Sequence, residues 1–149
     1  MTTILSLDLG TTTGWALSHN GEIRSGSVSF KDTRFDSKDS RFTKFFRWLQ
    51  NQRTHYGIES IVYEAVSAHK GTIAAHCYGG FMGALHMFGD KHEIPYEGVP
   101  VGTIKKFTTG NGKAFKKDMM NAMEKKGHRP RDDNEADALA LLYWRLGNE

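Results

Sequence analysis

LSLDLGTTTGWAL, residues 5–17, starts as a short apolar run, carries one carboxylate, Asp8, near the end of that run, and breaks at Gly10 before a second apolar run begins at Trp15. Short apolar runs separated by glycine and hydroxyl residues read as strand, turn, strand, here over 4–9 and 15–18. Residues 22–30 alternate well enough for a third, antiparallel strand. A carboxylate in an apolar strand is costly unless something partners it. Capping the turn and holding a ligand both satisfy that requirement for Asp8.

Outward from this hairpin, the polar stretch 31–40 reads as a loop. Phe42, Phe45, Phe46 and Leu49 then recur at helical spacing across 41–56, and Gly57 supplies a stop. SIVYEAV, 60–66, is a buried strand with a second isolated carboxylate, Glu64. A helix over 72–88 is rich in small residues: Ala74, Ala75, Gly79, Gly80, Gly83 and Ala84. Small residues permit close helix contact, either inside the domain or across a dimer axis. A strand follows over 96–101, then a short helical or irregular piece through Lys105 and Lys106 to the turn Gly110-Asn111-Gly112. A basic helix over 114–126 is closed by Gly127, and a last helix spans 133–146. The order β-β-β-α-β-α-β-α-α predicts an α/β protein with a mixed five-stranded sheet flanked by helices. No repeat, low-complexity segment or Pro/Gly/Ser-rich linker divides the 149 residues, so one domain over 1–149 is expected.

Hydrophobic residues at 38% and charged residues at 25% fit a folded globular chain and argue against a disordered one. No apolar run is long enough to cross a bilayer, and MTTILSLDLG lacks the basic region and long apolar stretch of a secretory signal, so no membrane association and a cytoplasmic location are expected. The single cysteine, Cys77, has no internal partner. The seven histidines show no zinc-like spacing with it. The net charge is only +3, but between Lys91 and Arg131 ten Lys/Arg stand against four Asp/Glu, a local excess of six. That asymmetry suggests a polyanion partner, and a solvated basic face would give the same count.

A third group of carboxylates opens the last helix. Asp132 and Glu135 have the Asp-x-x-Glu spacing of a capping box, which explains both structurally. Asp133, Asn134 and Asp137 stand three and four residues apart and can share one helix face. The helix dipole accounts for an acid at 133 but not for Asp137, which lies past the first turn in an apolar run. Carboxylates without histidine or thiol partners suit Mg²⁺ or Mn²⁺ better than zinc. Three or four such carboxylates, Asp8 and Glu64 with acids of the last helix, could hold two ions, an arrangement that serves phosphodiester hydrolysis.

Taken together, LSLDLGTTTGWAL, SIVYEAV, VPVGTIKKFTTGNGKAFKKDMM (residues 99–120) and DDNEADALALL (residues 132–142) resemble the RuvC family of Holliday-junction resolvases, in order and over nearly the whole chain. The most specific element is the turn Asp8 to Gly14 combined with Ala136-Asp137-Ala138-Leu139. The resemblance implies an RNase H-like fold, a homodimer, two Mg²⁺ per active site and symmetric nicking of a four-way junction. It places metal ligands on Asp8, Glu64 and Asp137. The family's fourth ligand falls at Asn134, one residue after Asp133, the chemically closer substitute. The DNA-binding lysines map to Lys105 and Lys116, with Lys106, Lys113 and Lys117 beside them. Ala65, Val66, Ser67 and Ala68 stand where many bacterial members carry a junction-stacking aromatic, so Tyr78 or Phe81 is the expected replacement. A compact resolvase would suit a bacteriophage genome and hence a host cytoplasm.

The glycines of the 110–112 turn allow close backbone approach to phosphate, and the lysines after it sit where helix amides point outward. No residue looks like a base reader, so recognition by DNA shape is expected. The Asp8-to-Gly14 turn also resembles the first phosphate loop of actin-like ATPases and sugar kinases. Those proteins need a second glycine-rich loop and a second domain, for which this chain has no room, so no nucleotide cofactor is expected. A catalytically inactive DNA-binding protein of the same fold is the remaining alternative, suggested by Asn134.

Overall fold

The computed structural model describes residues 2–149. Its five strands are β1 (Ile4–Asp8), β2 (Thr12–His19), β3 (Glu22–Ser29), β4 (Ser60–Ala65) and β5 (Tyr96–Pro100), and they form one sheet in the order β3-β2-β1-β4-β5. β1, β2 and β3 are antiparallel neighbours, while β4 runs parallel to both β1 and β5. Parallel neighbours need crossovers, and α1 (Arg41–Tyr56) and α2 (Thr72–His92) supply them. α3 (Val101–Thr109), α4 (Lys116–Lys125) and α5 (Asp133–Gly147) complete the chain. The mixed five-stranded α/β architecture is the one the element order predicts.

Strand alternation sends side chains to two separate cores. Leu5, Leu7, Leu17, Ile61 and Tyr63 pack with Phe45, Leu49, Phe81, Leu85 and Phe88 of α1 and α2. Ile4, Ala16, Val62 and Val99 pack instead with Ile104, Met119, Met123 and the apolar face of α5. The same two-residue period puts Ser6, Asp8 and Glu64 on the α5 side. No described helix is long and apolar enough to cross a membrane.

Among the element boundaries that differ from the sequence expectation, the second strand runs Thr12–His19 instead of 15–18, and three others have a local reason. α2 continues four residues past Phe88, because Gly89 is buried against the Tyr96 ring, where a Cβ would overlap it. Gly89 is therefore a packing glycine inside the helix, and Glu93 in the left-handed region ends it. Pro100 ends β5, and α3 starts directly at Val101 as a full nine-residue helix. α4 starts at Lys116 instead of 114, since Ala114 is buried in a turn whose N–H donates to the Asn111 carbonyl at 3.1 Å. The small residues of α2 serve two surfaces. Gly80 packs against the Phe42 ring of α1, whereas Gly79 and Gly83 face open space.

Candidate active site

The site begins with the register of two parallel strands. Leu7 pairs with Tyr63, so the next residues, Asp8 and Glu64, lie side by side at the carboxyl ends of β1 and β4, where α/β sheets form their ligand crevices. The turn after Asp8 is fastened by Thr13, whose hydroxyl donates to the Gly10 carbonyl at 2.6 Å. Asp8 is not the cap of that turn.

The third carboxylate arrives through the seating of α5. Ser6 Oγ donates to the Ala138 carbonyl at 2.8 Å, fixing the helix on β1. Gly14, which pairs with Asp8 across the β1–β2 hairpin, lies against the Asn134 carbonyl so closely that a Cβ would overlap it. With 134 held on β2 and 138 on β1, Asp137 faces the strand ends. One oxygen each of Asp8, Glu64 and Asp137 then lie within 4.8 Å of one another.

Like charges this close, in a partly desolvated pocket, retain protons. Burial is the largest cause in all three. It raises Asp8 well above the ordinary carboxylate range, with the charges of Glu64, Asp137, Asp133 and Asp132 adding to it. Glu64 is also raised, against an opposing pull from Lys105. Asp137 is pushed up to about 7, with Glu64 and Asp133 adding and Lys105 and Lys116 opposing. Among the described residues no cation comes within ion-pair distance of these three carboxylates. A cluster of hard oxygen donors without a protein counter-cation fits a divalent ion such as Mg²⁺ or Mn²⁺.

The other residues singled out in the sequence fall around this cluster. Asp133 is outside the three-way convergence, and its Oδ2 meets Lys116 Nζ at 3.2 Å. Its charge nevertheless raises the proton affinity of both Asp8 and Asp137. Asn134 takes part through its backbone, as the contact for Gly14. Lys105 and Lys116 line a cavity of about 200 Å³ with Glu64, Val101, Ile104, Met119 and Asp137. Lys106, Lys113 and Lys117 are exposed outside it. A larger cavity, about 620 Å³ between α3 and α4, contains none of the three carboxylates.

Two sequence expectations are revised here, those for Phe81 and for the capping box, and Tyr78 makes a contact the sequence does not signal. Phe81 is fully buried against Phe42, Phe45 and Phe30, so it cannot stack on DNA. The Tyr78 hydroxyl is committed: it donates to the Glu64 carbonyl at 2.9 Å and accepts from the Val66 N–H at 3.2 Å, bracing the end of β4. That bracing role was missed, and nothing in the local sequence signals it. The capping box is only half formed. Asp132 Oδ1 accepts from the Glu135 N–H at 2.8 Å, but Glu135 turns its own carboxylate to the Arg131 N–H at 3.0 Å and to Ser25 Oγ at 2.7 Å. Glu135 therefore ties α5 to β3 and is buried in doing so.

No protein-family model and no curated protein matches this sequence. Solved structures do. Thermus thermophilus RuvC in complex with a Holliday junction substrate superposes with a TM-score of 0.80 at 19% identity, covering 99% of this chain and 97% of that one. A second structure of Thermus thermophilus RuvC gives 0.74 at 19% identity, with 98% and 97% covered. The yeast mitochondrial Holliday junction resolvase Ydc2 gives 0.62 at 11% identity over 93% of this chain and 75% of its own. The strand order, the crossovers and these superpositions together show that the chain has the RNase H-like fold of the RuvC resolvases.

Proposed function

We propose that this chain is a structure-selective endodeoxyribonuclease that resolves four-way and related branched DNA by metal-dependent phosphodiester hydrolysis, working as a single 149-residue nuclease domain. The observation that carries the reading is the convergence of Asp8, Glu64 and Asp137, the last two lining one cavity with Lys105 and Lys116. In this reading Asp8, Glu64 and Asp137, with Asp133, hold two Mg²⁺, for which Mn²⁺ substitutes. The ions, when bound, supply activation of the attacking water and stabilisation of the leaving oxygen. Lys105 tempers the negative charge of Glu64 and Asp137, and Lys106, Lys113, Lys116 and Lys117 take the DNA phosphates. The Thermus protein of the same fold is seen with a Holliday junction, which supports branched DNA as the ligand. A DNA substrate would place the protein in the cytoplasm, that of the host if the gene is a phage's.

Resolution requires two nicks, hence two active sites, and a second copy of the chain has a surface to meet. Ile73, His76, Gly79, Gly83 and Met87 recur three and four residues apart on the exposed face of α2, with Ile73 87% and Met87 70% exposed. The test of function is incubation of labelled four-way, three-way and linear DNA of identical arm sequence with Mg²⁺ and with EDTA. Cleavage of the branched forms only with Mg²⁺ supports the reading, and equal cutting of linear DNA refutes its selectivity. Binding without cutting would favour the inactive alternative.

Two further results are expected. Asp133→Asn lowers the nicking rate more than Asn134→Ala does, because the Asp133 charge is felt at both Asp8 and Asp137 while Asn134 works through its carbonyl. Rates across a Mg²⁺ series decide it, and a larger loss for Asn134→Ala would return the fourth ligand to position 134. Lys117→Ala weakens binding to all junction sequences alike and makes the log–log salt dependence shallower by about one. Binding isotherms between low and moderate salt measure that slope. An unchanged slope would leave Lys117 as a solvated charge.

A further inference from the structure

The segment Gly112-Lys113-Ala114-Phe115-Lys116-Lys117 puts one aromatic residue among three lysines. Ala114 and Met119 on either side turn into the core, but Phe115 does not follow them. It occupies the N-cap position of α4, where serine, threonine, aspartate or asparagine would accept a free N–H of the first turn. A phenyl ring accepts none. The Asp118 side chain accepts the Phe115 N–H at 2.9 Å, and the ring itself contributes nothing to the cap.

Nor does the ring serve the fold. It is 78% exposed and belongs to neither core. The other strongly exposed large apolar side chains among the described residues have an account. Phe107 rests against Gly147, Phe35 lies under the Arg34 guanidinium at 4.7 Å, and Ile73 and Met87 are on the α2 face assigned above to a second copy. Phe115 has no such account, and its surroundings are specific. Lys113, Lys116 and Lys117 are exposed around it, and Lys116 reaches Asp133 and the cavity of Glu64 and Asp137. A flat apolar ring is thus exposed in a run of lysines, one of which lines the cavity of Glu64 and Asp137.

The ligand that matches both features is a polyanion with flat apolar faces, namely DNA with a base face open to contact. In a continuous duplex each base face is covered by its neighbour, whereas stacking is interrupted where arms meet. We propose that Phe115 is the platform on which a base at the branch point stacks, so that the aromatic selects the branch while the lysines hold its phosphates. This inference rests on the branched-DNA reading above.

The test uses four-way junctions carrying 2-aminopurine at each branch-point position in turn, and a linear duplex with the same label, in EDTA so that nothing is cut. Wild type and F115W are expected to change the emission at a branch-point position, and F115A to lose that change. Junction affinity of F115A is expected to fall roughly 5- to 150-fold, the span of one base–aromatic stack, with linear-duplex affinity unchanged. Its melting temperature stays that of wild type, because the ring is outside both cores. F115A with wild-type junction affinity and emission would overturn the proposal, as would an equal loss on linear DNA. Wild-type protein that does not prefer junctions to duplex defeats the branched-DNA reading itself. A preference that survives in F115A defeats only the role given to Phe115.

Discussion

Asp137→Asn is expected to lower cleavage by roughly 10²- to 10³-fold, the scale of removing a group that stabilises transition-state charge, while making the metal-free protein more stable. The two effects share one origin. Asp137 is held at about 7 in the folded protein against 3.8 in the open chain, because burial and the charges of Glu64 and Asp133 disfavour its ionised form. The folded state therefore binds this proton more tightly than the unfolded state does, and stability falls as pH rises from about 4 to about 7. Above that range the ionised group costs on the order of 4 kcal/mol, taking about 1.4 kcal/mol per tenfold change in proton affinity. The neutral amide removes that cost and, with it, one of the carboxylates proposed to hold the metal. Asp132→Ala, five residues earlier, has the opposite signature: loss of the 2.8 Å cap to the Glu135 N–H costs about 1 kcal/mol and leaves turnover of the folded enzyme largely intact. Denaturation of the three proteins in EDTA at pH 5 and pH 8, paired with nicking rates in Mg²⁺, separates ligand from cap. If Asp137→Asn were less stable than wild type at pH 8 without metal, the charge-crowding account would fail.

Gly14→Ala is expected to cost about 3 kcal/mol or more and to abolish cleavage in whatever protein remains folded. A methyl group at this position would overlap the Asn134 carbonyl, a backbone atom that cannot rotate away, so α5 must lift from β2. Lifting α5 strains the Ser6–Ala138 hydrogen bond and draws Asp137 from Asp8 and Glu64. Gly110→Ala provides a contrast. Its φ of +84° strains an alanine, but no atom lies near its Cβ position and no carboxylate depends on it. Urea denaturation of both variants reads the difference, and a Gly14→Ala protein of wild-type stability and activity would show that α5 is not positioned by this contact.

The fold was legible largely because the hairpin at the N-terminus and the apolar strand around Glu64 have few alternative readings. Each of Asp8, Glu64 and Asp137 stood out as a carboxylate inside an apolar segment, where its cost asks for a reason. Their convergence depends on β1 and β4 being parallel neighbours in one register, which neither strand's own residues specify. The same holds for Ser25 and Glu135, which meet across 110 residues to fasten α5 to β3. Phe81 was a different failure. Its spacing to Leu85 and Phe88, four and then three residues, marks one inward helix face, and following that phase along α2 would have placed it in the core. The exposure of Phe115 has no signal in the local sequence, since phenylalanine is ordinarily a buried residue.

The most direct test of the metal-centred account is nucleotide-resolution mapping of cleavage on a four-way junction, each strand end-labelled in turn, with wild type and Asp8→Asn in Mg²⁺. The account predicts paired nicks by wild type at symmetry-related positions on two opposing strands, none in EDTA, and none by Asp8→Asn despite undiminished junction binding. Normal nicking by Asp8→Asn, or nicks by wild type that persist in EDTA, would contradict it.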